Sequence, residues 1–261
     1  MSDPRLTADP SVVSMDQPTQ ITRPVVDLCR TPSGPRDRQL LFGDGLRLLN
    51  TTTGWSYVQS AKDGYCGYIT ADSHGRATAP THRVNTPSTH AYTRADFKSP
   101  DRMRLSHAAH VTVTGHDGKF AETTAGFIPT QHLTPIDQYQ NDPATIATLY
   151  LGTPYLWGGN SRDGIDCSGL VQAALLACAI PCPGDSDMQM ALGQDATAPY
   201  RRNDLLFWKG HVAMVTDKTN LIHANASAMA VTCEPITAAI SRIAAQGDGP
   251  ITAHRRLTGT F

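Results

Sequence analysis

The stretch Asp166-Cys167-Ser168-Gly169-Leu170-Val171-Gln172-Ala173-Ala174-Leu175-Leu176-Ala177 decides how the second half of the chain folds. Helix formers follow Cys167, and turn formers precede it in Trp157-Gly158-Gly159-Asn160-Ser161-Arg162-Asp163-Gly164. This predicts a buried helix with a cysteine in its first turn. The unpaired backbone N–H groups and the dipole at a helix start favour a thiolate, so the thiol pKa is expected to be lowered there. A cysteine that merely fills core space fits the same pattern.

A nucleophile needs a base, and two histidines lie downstream in strand-like surroundings. Gly210-His211-Val212-Ala213-Met214-Val215 is followed by a turn at Asp217-Lys218-Thr219-Asn220 and then by Leu221-Ile222-His223-Ala224-Asn225. Both apolar runs read as strands of one hairpin. Polar side chains on neighbouring strands can meet. His211 can therefore act as base to Cys167, with His223 holding its imidazole in the useful tautomer. Each histidine taken alone equally suits a satisfied core or surface position.

Further blocks accompany these residues in order: Pro154-Tyr155-Leu156-Trp157-Gly158-Gly159, Pro183-Gly184-Asp185-Ser186-Asp187-Met188-Gln189 and Asp204-Leu205-Leu206-Phe207. Together the blocks, across about half the chain, resemble the NlpC-type cysteine peptidases, a papain-like family that cuts bacterial cell-wall peptides. The resemblance implies Cys167 as nucleophile, His211 as base and His223 as third polar residue. It also implies Tyr155 as a hydroxyl near the oxyanion, beside the Cys167 backbone N–H. Asp166, Ser168, Trp157, Asp185 and Ser186 correspond to residues lining the substrate side. Asp185 and Ser186 also suit capping of a short helix from Ser186, and Trp157 suits core burial. Gly184 stands where the family usually has arginine.

The plan of this half is helices first and an antiparallel sheet later, an α+β arrangement. Asp142-Pro143 is expected to open a helix reaching about Tyr150, with Asp142 as N-cap. A last helix is expected near Ile236 to Ala245.

The first half reads differently. Short apolar runs between residues 24 and 75 are separated by Gly43-Asp44-Gly45, Thr52-Thr53-Gly54 and Lys62-Asp63-Gly64, which suits a small barrel. The pattern of Gly43-Asp44, Gly54-Trp55, Val58, Asp63-Gly64-Tyr65 and Gly67-Tyr68-Ile69 resembles a bacterial SH3-like domain. Gly126-Phe127-Ile128 echoes Gly67-Tyr68-Ile69 and suggests a second copy. The expected organisation is a flexible arm (1–22), a first SH3-like barrel (23–75), a linker and second barrel (76–140), and a papain-like peptidase domain (141–261).

The paired barrels and the Pro183–Gln189 block resemble a cytoplasmic branch of the family, the γ-D-glutamyl-L-diamino acid endopeptidases. These cut the bond between γ-D-glutamate and a diamino acid in murein peptides that begin with a free L-alanine. In that branch the first barrel closes one end of the groove and recognises the substrate amine through an acid and a tyrosine. Asp44 and Tyr65 correspond, with Asp44 one methylene shorter than the usual Glu. Gly-Asp-Gly is also a good turn, and Tyr65 suits barrel core.

Composition narrows the alternatives. The chain has 261 residues and a formal net charge of −1 without a basic block, which argues against nucleic acid as a partner. No apolar run approaches the roughly 20 residues of a membrane span. The N-terminus lacks a basic-then-apolar pattern, so no signal peptide is expected and the cytoplasm is the expected compartment. The six cysteines, Cys29, Cys66, Cys167, Cys178, Cys182 and Cys233, are expected to be free thiols. Cys178 and Cys182 lack a second pair with matching spacing, so no metal or other cofactor is expected. A wall-binding protein, a general murein hydrolase acting outside the cytoplasm and an acyl transferase on the same fold are the competing functions. The sequence selects neither a diamino acid nor an oligomeric state.

Overall fold

Glycine-containing turns cut the first half into short antiparallel strands in a computed structural model that describes residues 3–258. The first sheet contains β1 (Gln17–Ile21), β2 (Val25–Cys29), β3 (Arg36–Leu41), β4 (Gly45–Thr52), β5 (Trp55–Ser60), β6 (Cys66–Thr70) and β7 (His74–Arg76), in the order β3-β2-β6-β5-β4-β1-β7. Leu28, Leu40, Leu49, Val58 and Ile69 fill its interior. Gly43, at the β3–β4 turn, has φ +79°, and a Cβ there would lie 2.1 Å from the His110 carbonyl oxygen. Only glycine fits that approach.

The N-terminal segment departs from the expected flexible arm. β1 pairs with β4 through Gln17↔Leu48 and with β7 through Thr19↔Arg76. Upstream of it, the Cys66 N–H donates to the Arg5 carbonyl, and the Ser14 and Met15 N–H groups donate to the Leu49 carbonyl. Backbone pairing holds this segment, so its polar side chains gave no sign of order. Met1 and Ser2 lie outside the described residues.

The second all-β body uses β8 (His82–Val84), β9 (Ser88–Tyr92), β10 (Asp101–Ser106), β11 (His110–Val111), β12 (Val113–Asp117), β13 (Phe120–Thr123), β14 (Gly126–Pro129) and β15 (Leu133–Pro135). They form a sheet β10-β9-β14-β13-β12 and a smaller one, β11-β8-β15. Their core holds Val84, Ala91, Leu105, Val111, Ala121 and Ile128, with Phe42 from the first body. Part of the expected linker is therefore strand: Arg83 on β8 is buried and donates to the Ile136 carbonyl.

The chain divides at Gln138/Tyr139, and the second unit is α+β. It contains α1 (Pro143–Thr148), β16 (Asn160–Ser161), β17 (Gly164–Ile165), α2 (Cys167–Ala177), α3 (Ser186–Gln189), β18 (Gln194–Asp195), β19 (Leu205–Trp208), β20 (His211–Val215), β21 (Asn220–Asn225), β22 (Ala230–Pro235), α4 (Ile236–Ala245) and β23 (Ala253–Arg256). Six strands form one antiparallel sheet in the order β18-β23-β19-β20-β21-β22. Alternate residues face opposite ways. Phe207, Val212, Met214 and Ile222 pack with α2, whereas Leu206, Trp208, Ala213 and Val215 pack with α4. Helices on both faces explain why Leu205-Leu206-Phe207-Trp208 is continuously apolar.

Two polar anchors complete the unit. Asp204, 1% exposed, accepts from Arg256 Nε (2.8 Å) and Nη2 (2.7 Å), from His254 Nε2 (2.7 Å) and from the Arg201 N–H, which joins β23 to β19. The start of α1 differs from the expected local cap. Asp142 makes no side-chain capping bond to the helix backbone, because its carboxylate is taken by Arg202 at 2.6 Å. The Ala144 N–H is instead capped by Asn203 Oδ1 at 2.9 Å, a partner 59 residues away.

Candidate active site

The start of α2 is built around one carboxylate. Asp166 caps the helix, accepting from the Gly169 N–H (2.6 Å) and Ser168 Oγ (2.9 Å) through Oδ1. Its Oδ2 accepts from the Gly158 N–H at 2.9 Å, which ties the preceding loop to the helix. Gly169 is required by close packing: a Cβ there would come within 2.5 Å of the Gly159 carbonyl oxygen. The Cys167 side chain is thus presented from a rigid first turn, and it is 5% exposed.

Sheet register places the imidazoles. Met214 pairs with Ile222, so His211 and His223 share one face of the β20–β21 hairpin as diagonal neighbours. His211 Nε2 lies 2.8 Å from His223 Nδ1. His223 is fully buried, and its Nε2 lies 2.7 Å from Glu234 Oε1 on β22. The same carboxylate oxygen accepts from Arg242 Nη2 on α4.

These contacts fix the tautomers. A carboxylate only accepts, so His223 Nε2 carries the proton and its Nδ1 is bare. His211 Nε2 must then donate to that Nδ1, leaving His211 Nδ1 as the free lone pair. The row Glu234–His223–His211 therefore prepares a neutral base.

The thiol is neutral as well, contrary to the lowered pKa expected from the helix start. Burial pushes the Cys167 thiol up to about 12, and the Asp166 carboxylate acts in the same direction. The backbone N–H groups of Val212, Ser168 and Cys167 itself pull the other way. Desolvation outweighs the helix end because the Cys167 side chain is almost wholly buried. Val212 directly follows His211, so the sulfur lies beside the strand that carries the base. Burial, aided by the positive side of His223 and Arg242, holds the His211 imidazole down to about 3.

The sign of the resulting pH dependence follows. His211 is depressed below its ordinary 6.5, so it favours the folded state fully above that pH. That contribution is lost as the pH falls toward about 3, while the unfolded chain gains protons. His107, held down to about 4 mainly by burial, adds the same slope. We expect the thermal unfolding temperature to drop between about pH 7 and pH 5, with a shallower drop in His107→Gln. Calorimetry checks this. Activity should track the folded fraction rather than show a separate titration near 6.5.

Tyr155 joins this group. Burial raises its phenol, and the proximity of Cys167 and Asp166 adds to the rise, so the hydroxyl stays protonated and can donate. Ser168 is buried, and its carbonyl accepts from Gln189 Nε2 (3.0 Å), which links α3 to α2. Asp185 and Ser186 stand half-buried at the start of α3, and the Asp185 side chain makes no capping bond. Trp157 is 68% exposed, which excludes core burial. Asp44 and Tyr65 lie in the first unit. Asp44 accepts from the Leu41 N–H and from Lys62 Nζ, both at 3.0 Å. Tyr65 is buried, with the Arg38 guanidinium 5.3 Å from its ring centre.

Sequence reasoning missed Glu234 and Arg242. Their signal is positional: Glu234 falls two residues beyond Thr232, which pairs with His223. Such a register is readable only once the β21–β22 pairing is known. Replacing Glu234 by Gln is expected to lower kcat about tenfold to a hundredfold with KM little changed, as a wrongly protonated pair would. Steady-state kinetics, with near-UV circular dichroism as a folding control, checks it.

Among the described residues, no group of three or more His, Cys, Asp or Glu side chains could hold a metal ion. No described helix is long and apolar enough to cross a membrane.

Residues 28–73 match the bacterial dipeptidyl-peptidase Sh3 domain, and residues 152–245 match the NlpC/P60 family. Dipeptidyl-peptidase 6 of Lysinibacillus sphaericus is 34% identical over 89 residues, 33% of each chain. A gamma-D-glutamyl-L-lysine dipeptidyl-peptidase of Bacillus cereus is 31% identical over 105 residues, 37% of this chain and 32% of its own. The matched stretches thus span about a third of those two relatives. The Bacillus subtilis protein of the same name is 27% identical over 213 residues, 71% of each chain. In fold, the chain is similar to an NlpC/P60 family protein from Bacillus cereus ATCC 10987, with a TM-score of 0.78 at 17% identity, covering 93% of this chain and 100% of that one.

Proposed function

We propose that this chain, which joins a dipeptidyl-peptidase Sh3 domain to an NlpC/P60 domain, is a cysteine endopeptidase. Its substrate on this reading is a murein peptide with a free N-terminal L-alanine, cut between γ-D-glutamate and the diamino acid. The observation that carries the chemistry is the Glu234–His223–His211 row on a strand whose next residue, Val212, gives its backbone N–H to the Cys167 sulfur. The names of the two gamma-D-glutamyl-L-lysine dipeptidyl-peptidases among the relatives support the bond chosen.

The Cys167 sulfur attacks the γ-carbonyl carbon as its proton passes to His211 Nδ1. Neither group is charged beforehand, so transfer and attack are coupled, and backbone N–H groups of Cys167, Ser168 and Val212 favour the sulfur as it gains charge. The Cys167 N–H and the Tyr155 hydroxyl receive the oxyanion. The C–N bond breaks, and His211 returns the proton to the departing amine. Water then attacks the thioester with His211 again as base, releasing the dipeptide and restoring the thiol.

The substrate amine calls for an acid, and Asp44 is the first candidate, with Asp185 the second. Recycling of wall-derived peptides in the cytoplasm is the setting this reading implies. The test is incubation with L-Ala-γ-D-Glu-L-Lys and its N-acetyl twin, with products identified by mass. The free peptide should be cut at the γ-D-glutamyl bond, and acetylation should slow cleavage by about two orders of magnitude or more, since it removes a charge-assisted contact and adds bulk. Equal rates would point instead to a general murein hydrolase. Asp44→Asn should reproduce the loss on the free peptide; parent-like activity would move the role to Asp185.

A further inference from the structure

The Pro183–Gln189 block ends on a residue that takes no part in the steps from thiol to thioester. Gln189 is fully buried, and its Nε2 directs both hydrogens at main-chain carbonyls. One is that of Ser168, in the first turn of α2, at 3.0 Å, and the other is that of Pro183, in the loop before α3, at 2.9 Å. Turned over, the amide would set its oxygen against both carbonyl oxygens, so its orientation is fixed. A second buried amide acts on the same loop. Gln172 Nε2, from the second turn of α2, donates to the Cys182 carbonyl at 3.1 Å. Two consecutive carbonyls, just ahead of Gly184, Asp185 and Ser186, thus hang on two glutamines.

The bond to Ser168 falls beside the nucleophile. The Ser168–Gly169 peptide has its N–H, that of Gly169, held by Asp166 Oδ1 at 2.6 Å. Its C=O is the one that Gln189 holds. One peptide unit, next after the Cys167–Ser168 peptide, is therefore pinned at both ends by side chains. Gln189 Oε1, by contrast, has no hydrogen-bond partner among the described residues. A buried acceptor left in that state destabilises a fold, and an apolar side chain of the same length would avoid it. Packing alone would favour methionine here, and the two donors are what the amide adds.

We propose that Gln189 is a positioning residue that joins the Asp185–Ser186 wall to the first turn carrying Cys167, so that seating of the acyl group and aim of the sulfur are set together. Its place in the reaction rests on the peptidase reading above. The Gln172 bond steadies the loop and leaves the Ser168–Gly169 peptide alone.

The test replaces Gln189 by Met in the full-length protein, which keeps the length and removes both donors. Hydrolysis of L-Ala-γ-D-Glu-L-Lys should lose about tenfold to thirtyfold in kcat and gain about threefold or more in KM, while the thermal unfolding temperature stays level or rises. Gln172→Met should raise KM with kcat within about twofold of the parent. Amide hydrogen exchange, read by mass spectrometry, follows the clamp without a substrate: in Gln189→Met it should quicken about tenfold in both 166–171 and 182–188. Parent-like kinetics, unchanged exchange in either segment, or a loss of kcat no larger than the loss of folded protein overturns the proposal. If Gln189→Met does not fold, Gln189→Asn decides by the same outcomes, because its amide is one methylene too short to span both carbonyls. Coupled exchange in the variant, with no cleavage of the peptide by the parent protein, would sink the peptidase reading and sustain the clamp.

Discussion

Replacing Cys167 by alanine is expected to reduce hydrolysis of L-Ala-γ-D-Glu-L-Lys to background, a loss of about five orders of magnitude, while the fold survives. The reason is covalent: without the sulfur there is no thioester, and water must attack an amide directly. Truncation removes one buried atom, so the stability cost should be on the order of 1 kcal/mol. Mass-resolved product analysis measures the first quantity and thermal unfolding the second. Retained turnover would dismiss Cys167 as nucleophile. A mere loss of folding would show in the unfolding curve.

Replacing His211 by alanine is expected to be nearly as severe, about four to five orders of magnitude in kcat/KM. A thiol held near pKa 12 supplies almost no thiolate by itself, so a missing base cannot be offset by raising the pH modestly. The double variant lacking Cys167 and His211 should be no worse than either single one, because the two act as a unit. His223→Ala should cost less than His211→Ala, and His223→Gln less again, since an amide oxygen can still accept from His211 Nε2. If His211→Ala and His223→Ala were equally impaired, the second imidazole would be more than an orienting group.

Much of the second half was legible because its signals are local. The apolar run after Cys167 announces α2, and the reading of Ile236 to Ala245 as a helix matches α4. The hairpin that carries His211 and His223 follows from two apolar runs around a turn. Features that depend on distant partners were not legible. Asn203 caps α1 from across the unit, β1 is held by backbone pairing, and Glu234 reaches His223 through strand register. The thiol pKa failed for a related reason. A helix start can be read from sequence, but the degree of burial that overrides it cannot.

The double grip of Asp166 bears on how this chain can change over evolutionary time. One carboxylate sets the path of the loop at Gly158 and the first turn that aims the sulfur. An insertion or deletion in that loop would therefore disturb the nucleophile's aim. Innovation in substrate range has to come from side chains hung on an unchanged backbone, and Trp157, outward-facing on that loop, is where such tinkering is cheapest.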